Sequence, residues 1–351
     1  MRNLFLTMEA AADLVASGAV AFISGPEVLL RSLPRGRWIG GTTAYFITED
    51  GGVACNDRLF CTVFDEALRA RTAVLSADKL GGLTEGRFGH GLTCIITPAF
   101  SETHQRYALE GPALPALYDQ PVFGWVAGVR LEQTGTLLPK VFDGATGLAA
   151  CDGLATLWIE LPPALEADLD IVNLFAEGDG DVIGFLEAGF TVGDCLVNGK
   201  PVNFARYLSE GRFDTRSPLV ADYAGAVINV SFHEIDAEAG QVRLYAPVVP
   251  GVAYRLARPV GEHALPYAHA GPPDEAATML SCNCILNYLY AGLEGRTAGG
   301  FVGPVTFGEF AYILLNQTLV RLAVFDPNKD SSVAGRFGAN LATSAHAMAT
   351  W

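Results

Sequence analysis

Inside the otherwise apolar stretch GPVTFGEFAYILLNQTL, Gly303–Leu319, stand a lone carboxylate, Glu309, the hydroxyl of Thr306 and an Asn316-Gln317-Thr318 triplet. Polar groups in such a setting do chemistry, hold a ligand or cap an element. The structural reading makes Glu309 the cap of a helix beginning near Phe310 and sets Asn316 to satisfy loose backbone groups. Cys282 offers three roles: a small buried hydrophobe, part of a ligand pocket, or a thiolate whose pKa is lowered at the start of a helix following Pro272-Pro273.

Other catalytic arrangements are missing from the sequence. It has no G-x-S-x-G elbow, no G-x-x-x-x-G-K-[ST] phosphate loop, no H-E-x-x-H and no EF-hand loop. None of the six histidines pairs at i, i+4 with another ligand, and Cys282-x-Cys284 has no second cysteine or histidine pair at finger-like spacing, so no metal site is expected. Seven cysteines form an odd set without the framework of a secreted disulfide scaffold, which implies reduced thiols.

The elements that must position these residues read as a strand series. Residues 7–17 fit a helix capped by Thr7 and closed at Gly18, and AVAFIS (19–24), a short Pro26-led helix and RWIGGTTAYFIT suggest a βαβ-like unit. Strands are expected at 59–64, 92–98, 122–132, within 134–144 and at 154–162, with a helix over 66–80 and a turn-rich acidic border from Asp168. Asn198-Gly199 between apolar runs predicts a tight hairpin. Strands follow at 227–235 and 241–249, and ATMLSCNCILNYLYAGLEG (277–295) has helical spacing up to Gly295.

With 351 residues the chain exceeds one ordinary core, and with half of them apolar and 17% charged it has ample material for two. A net charge of −15 repels nucleic acid and anionic membrane surfaces, so neither is an expected partner. No run of 18 apolar residues suggests a membrane helix, and Glu9 and Asp13 interrupt any signal-peptide core, which gives a cytoplasmic reading.

Several segments together resemble the FIST family, the sensory domain pair of F-box and intracellular signal transduction proteins. LVNGKPVNFARYL (196–208) is similar to its polar-Gly turn and small helix ending in tyrosine, and VRLYAPVVPGVAYRLA (242–257) to the strand and turn that follow. Ser281-Cys282 matches a Ser-Cys ahead of a helix, and FVGPVTFGEF with LLNQTLVRLAV resembles the Gly-Glu motif followed by Asn-Gln-Thr-Leu. In the first half, RWIGGTTAYFI (37–47) and VFGWVAGVRLE (122–132) are similar to glycine-containing strands of the family. The chain departs from the pattern at Gly41, where cysteine is common, and at 283–287, which lack the Gly-x-Arg that follows Ser-Cys.

The resemblance implies an α+β protein of two domains, 1–180 and 181–335, with a tail at 336–351. Each domain would hold a mixed or mostly antiparallel sheet covered by helices, with a cleft between them. It implies small-molecule sensing with an amino-acid-like ligand held by Cys282, Thr306, Glu309 and Asn316, and a signalling partner acting in trans. A carboxylate accepting from an ammonium beside an amide can orient a zwitterion in an apolar pocket. Purified protein is expected to carry no cofactor; the family's haem-binding gas sensors make haem at His263 or His269 an alternative. A cysteine-dependent enzyme is another, with Cys282 as nucleophile and a histidine as base.

Overall fold

Thr7 opens the first helix, Met8–Ala16: its backbone is extended and its hydroxyl accepts from the Ala10 amide at 3.4 Å. Gly18, with φ of 85°, turns the chain into the buried strand Val20–Gly25. The short helix Glu27–Ser32 then returns the chain so that Arg37–Thr42 pairs in parallel with Val20–Gly25, the expected βαβ unit. A second unit of this kind joins Gly91–Pro98 to the parallel strand Val122–Ala127 through the helix Glu102–Glu110, capped by Ser101.

The computed structural model describes residues 1–223, 226–258 and 279–329. Among these the protein is mixed α/β and dominated by sheet. Three strand ladders are parallel, the third being Met279–Cys284 with Gly303–Thr306, and every other ladder is antiparallel. His263, His269 and the 336–351 tail lie outside the described residues. No helix among the described residues is long and apolar enough to cross a membrane.

Three six-stranded sheets carry the main core. The first contains strands from residues 2 to 150 alone. The other two join distant parts of the chain: Gly303–Thr306 pairs with Tyr45–Thr48, Glu309–Ala311 with Val122–Ala127, and Thr318–Phe325 with Glu166–Asn173. Hydrogen bonding in two of the three sheets therefore crosses the expected boundary at 180. Residues 183–256 supply three small three-stranded sheets, one containing the hairpin at Asn198-Gly199, where both residues adopt positive φ as expected.

Two expected helices are corrected. Within 66–80 the chain forms the strand Arg69–Leu75, paired along its length with Leu154–Glu160. Its helix-favouring residues are overridden by that ladder, with Arg69 bonded to Glu160 and Arg71 lying over the Phe88 and Trp158 rings. Within 277–295, Met279–Cys284 is a strand wedged between Thr318–Phe325 and Gly303–Thr306, and among the described residues 279–295 only Ile285–Tyr290 is helical. The acidic border also holds a strand, Glu166–Asn173, in which Asp170 faces Arg321 across the ladder at 2.8 Å.

Candidate functional site

Glu309 sits on the strand Glu309–Ala311, which turns tightly through Tyr312, at φ of 64°, into Ile313–Leu315. No helix begins near Phe310, so the helix-cap reading is corrected. Tyr107 of the Glu102–Glu110 helix packs edge-on against Phe310 at 5.3 Å and donates to the Tyr312 carbonyl at 2.7 Å, fixing the hairpin from outside. The next reversal, Asn316-Gln317, puts Gln317 at φ of 47°. A left-handed backbone without glycine costs on the order of 1–3 kcal/mol and persists where its surroundings hold it. Asn229 supplies that hold by donating to the carbonyls of Asn316 and Gln317, while Ser231 donates to the Gln317 side chain at 2.7 Å.

Glu309 is fully buried. Thr318 donates to its carboxyl at 2.9 Å and Thr306 at 3.4 Å. Burial drives its pKa well above the usual carboxylate range, against the opposing effect of Thr318, Thr306 and Cys284. The folded protein therefore favours a protonated acid here, which cannot supply the charge that an ammonium needs. Cys282 is equally enclosed, its thiol directed at the Gly124 carbonyl at 3.5 Å, and burial raises its pKa well above the ordinary thiol value. The helix N-terminus belongs to Cys284, so the activated-thiolate reading of Cys282 is corrected.

The expected site residues thus divide. Cys282, Thr306 and Glu309 form an internal polar seam between sheets. Asn316 reaches a cavity of about 200 Å³, shared with Cys284, His233, Tyr245, Phe100 and Tyr290. The Asn316 amide donates to the Leu315 carbonyl at 3.0 Å, which fixes which way round it lies. Its Oδ1 is buried and has no hydrogen-bond partner. An acceptor left in this state costs about 1–3 kcal/mol unless something donates to it.

Aromatic rings line the mouth. The His233 ring packs at a tilt against Tyr245 at 4.8 Å and Phe100 at 5.3 Å, and Phe100 itself is held at φ of 63°. His233 lies where the pairing of Phe232–Asp236 with Gln241–Val248 shifts register, and such bulges re-aim a side chain. Burial, aided by Arg243, lowers the His233 pKa and so favours the neutral imidazole. Burial likewise pushes the Tyr245 hydroxyl up to about 12 and the Cys284 thiol well above its usual value. Leu131, Ile285, Leu286 and Leu289 complete a wall that is mainly apolar and aromatic, with Asn316, Thr134 and His233 as polar points and no Lys, Arg, Asp or Glu among the described residues.

Period-two spacing from Cys282 places Cys284 on the same strand face, a signal present in the sequence. Phe100, His233 and Tyr245 carried none, since they converge only through strand pairing and a bulge. Among the described residues no cluster of three His, Cys, Asp or Glu side chains could hold a metal ion.

The chain belongs to DUF6976, a family of unknown function whose model matches residues 6–325. No curated protein matches it.

Proposed function

We propose that the protein binds a small molecule in the Asn316 cavity and passes its occupancy to a signalling partner in trans, as a cytoplasmic sensor of the kind the FIST resemblance implies. The supporting observation is a cavity with an aromatic mouth that Asn316 helps to line, next to the buried Asn316 Oδ1, which has no hydrogen-bond partner. At about 200 Å³ the space equals roughly six or seven waters at ~30 Å³ each, the scale of an amino acid or a small amide. The uncharged wall favours a ligand that presents an N–H or O–H donor to Asn316 and lays an apolar or aromatic part against His233 and Tyr245. Phe100 comes from the first half of the chain, His233 and Tyr245 from the middle, and Asn316 from the end, so occupancy bears on all three. In this reading the cavity is the cleft between the two expected domains. Binding is favoured over cysteine catalysis because burial keeps the nearest thiol, Cys284, protonated.

Calorimetric titration with amino acids, small amides and amines tests this reading. One class is expected to bind, with Asn316→Leu weakening it by about ten- to a hundredfold while leaving the melting temperature equal or higher, since the substitution removes an unsatisfied acceptor. Unchanged affinity in Asn316→Leu refutes the assignment. Turnover of the titrant, lost in Cys284→Ser, shifts the reading to an enzyme.

A further inference from the structure

A second cavity, of about 360 Å³, lies between the Glu102–Glu110 helix, the Ile313–Leu315 strand and the small sheets, with Leu109, Val230, Val249, Val252 and Leu314 on its walls. Among the described residues no charged side chain lines it. Its polar contributors are Asn229 and Tyr223. The Asn229 amide is spent: it donates to Asn173 Oδ1 at 2.9 Å and to the Asn316 and Gln317 carbonyls, and it accepts from Asn173 Nδ2 at 3.0 Å.

Tyr223 differs. Its hydroxyl lies 2.6 Å from that of Tyr254, which is fully buried and accepts from the Val249 amide at 3.0 Å. The Tyr254 oxygen already accepts from the Val249 amide, and a proton left unmet in this buried position would cost about 1–3 kcal/mol, which favours Tyr254 as the donor to Tyr223. The pair holds two protons and closes with one of them; with Tyr254 as donor, the Tyr223 proton is the one left for an acceptor in the cavity that Tyr223 lines.

We infer that this cavity is a binding site for a neutral, mainly apolar molecule bearing one hydrogen-bond acceptor, of the medium-chain ketone or alcohol type. Its apolar body fills the Leu/Val walls and its oxygen accepts from Tyr223. A carboxylate head is disfavoured, because among the described residues no lining cation offsets the desolvation of its charge. The volume matches about twelve waters at ~30 Å³, room for a molecule of about ten heavy atoms.

Calorimetric titration of the full chain with 2-octanone tests the inference. One-to-one saturable binding is expected, about fifteenfold weaker for 2-hexanone, which lacks two methylenes. Octanoate is expected to bind at least tenfold more weakly than 2-octanone. Tyr223→Phe should weaken the ketone by about two- to tenfold. Ala113→Trp, an exposed position at the rim, should abolish binding without lowering the melting temperature. Binding should survive Asn316→Leu, which separates this site from the proposed sensor cavity. Absence of saturable binding, octanoate binding as tightly as the ketone, or indifference to Ala113→Trp overturns the proposal. So does binding that appears only after deletion of residues 330–351, because the cavity's occupant would then be the chain's own tail.

Discussion

Replacing Glu309 by glutamine keeps the shape of the side chain and removes its titration. In the folded protein burial holds the carboxyl pKa well above 4.5, while the unfolded chain ionises near that value. Below pH 4.5 both states hold the proton and the fold keeps its full stability. As the pH rises, the unfolded state loses its proton first, and stability is lost at about 1.4 kcal/mol per pH unit until the folded pKa is reached. Glu309→Gln is free of this loss. The amide can still accept from Thr318, so the cost of substitution is at most about one hydrogen bond, 0.5–1.5 kcal/mol, and does not depend on pH. The variant should therefore be equal to or slightly less stable than the parent near pH 4.5, and should overtake it within about one pH unit above that. Denaturant midpoints across pH 4.5–8, at unchanged m-value, measure the difference. A difference constant with pH would refute the reasoning and mean that the folded carboxyl is ionised. Affinity at the Asn316 cavity should be unchanged by the same substitution, since Glu309 is not on its wall.

Two further outcomes are expected. A thiol reagent at pH 8 should label Cys151 rapidly and Cys55 more slowly, and reach Cys282 and Cys284 only on unfolding; rapid native labelling of either buried thiol contradicts the enclosure described above. Gly124→Ala should destabilise by about 1–3 kcal/mol or more in a melting experiment, because its new Cβ would fall 2.0 Å from the Ile95 carbonyl oxygen, and an unperturbed melting temperature would show that the two parallel strands can part.

The sequence was most readable where local rules act alone. Thr7 capped its helix, Asn198-Gly199 made its hairpin, and the strand-helix-strand run from Val20 to Thr42 formed a parallel pair. It misled where pairing decides. Arg69–Leu75 contains good helix formers, yet a seven-residue ladder to Leu154–Glu160 fixes it as a strand. Cys282 looked like a helix-start thiol because the apolar spacing around it fits both periods, and a strand between two neighbours resolves that ambiguity. For the site, Asn316 was legible as a polar residue out of place. Glu309 was legible in the same way, but its fate was set by how deeply the sheets enclose it, which one-dimensional spacing does not encode.

Asn229 lines the second cavity, and its amide donates at 3.1 Å to the backbone carbonyl of Asn316, a residue on the wall of the first. Anything that shifts this asparagine pair is felt on both sides, so ligands filling the two cavities would share one thermodynamic cycle. Linkage then makes the effect reciprocal: the factor by which the first ligand alters the affinity of the second equals the factor by which the second alters the first, and a tenfold factor is about 1.4 kcal/mol in either order of addition. Two titrations run in opposite order must close this cycle, and Asn229 is the residue whose replacement should bring the shared factor toward one.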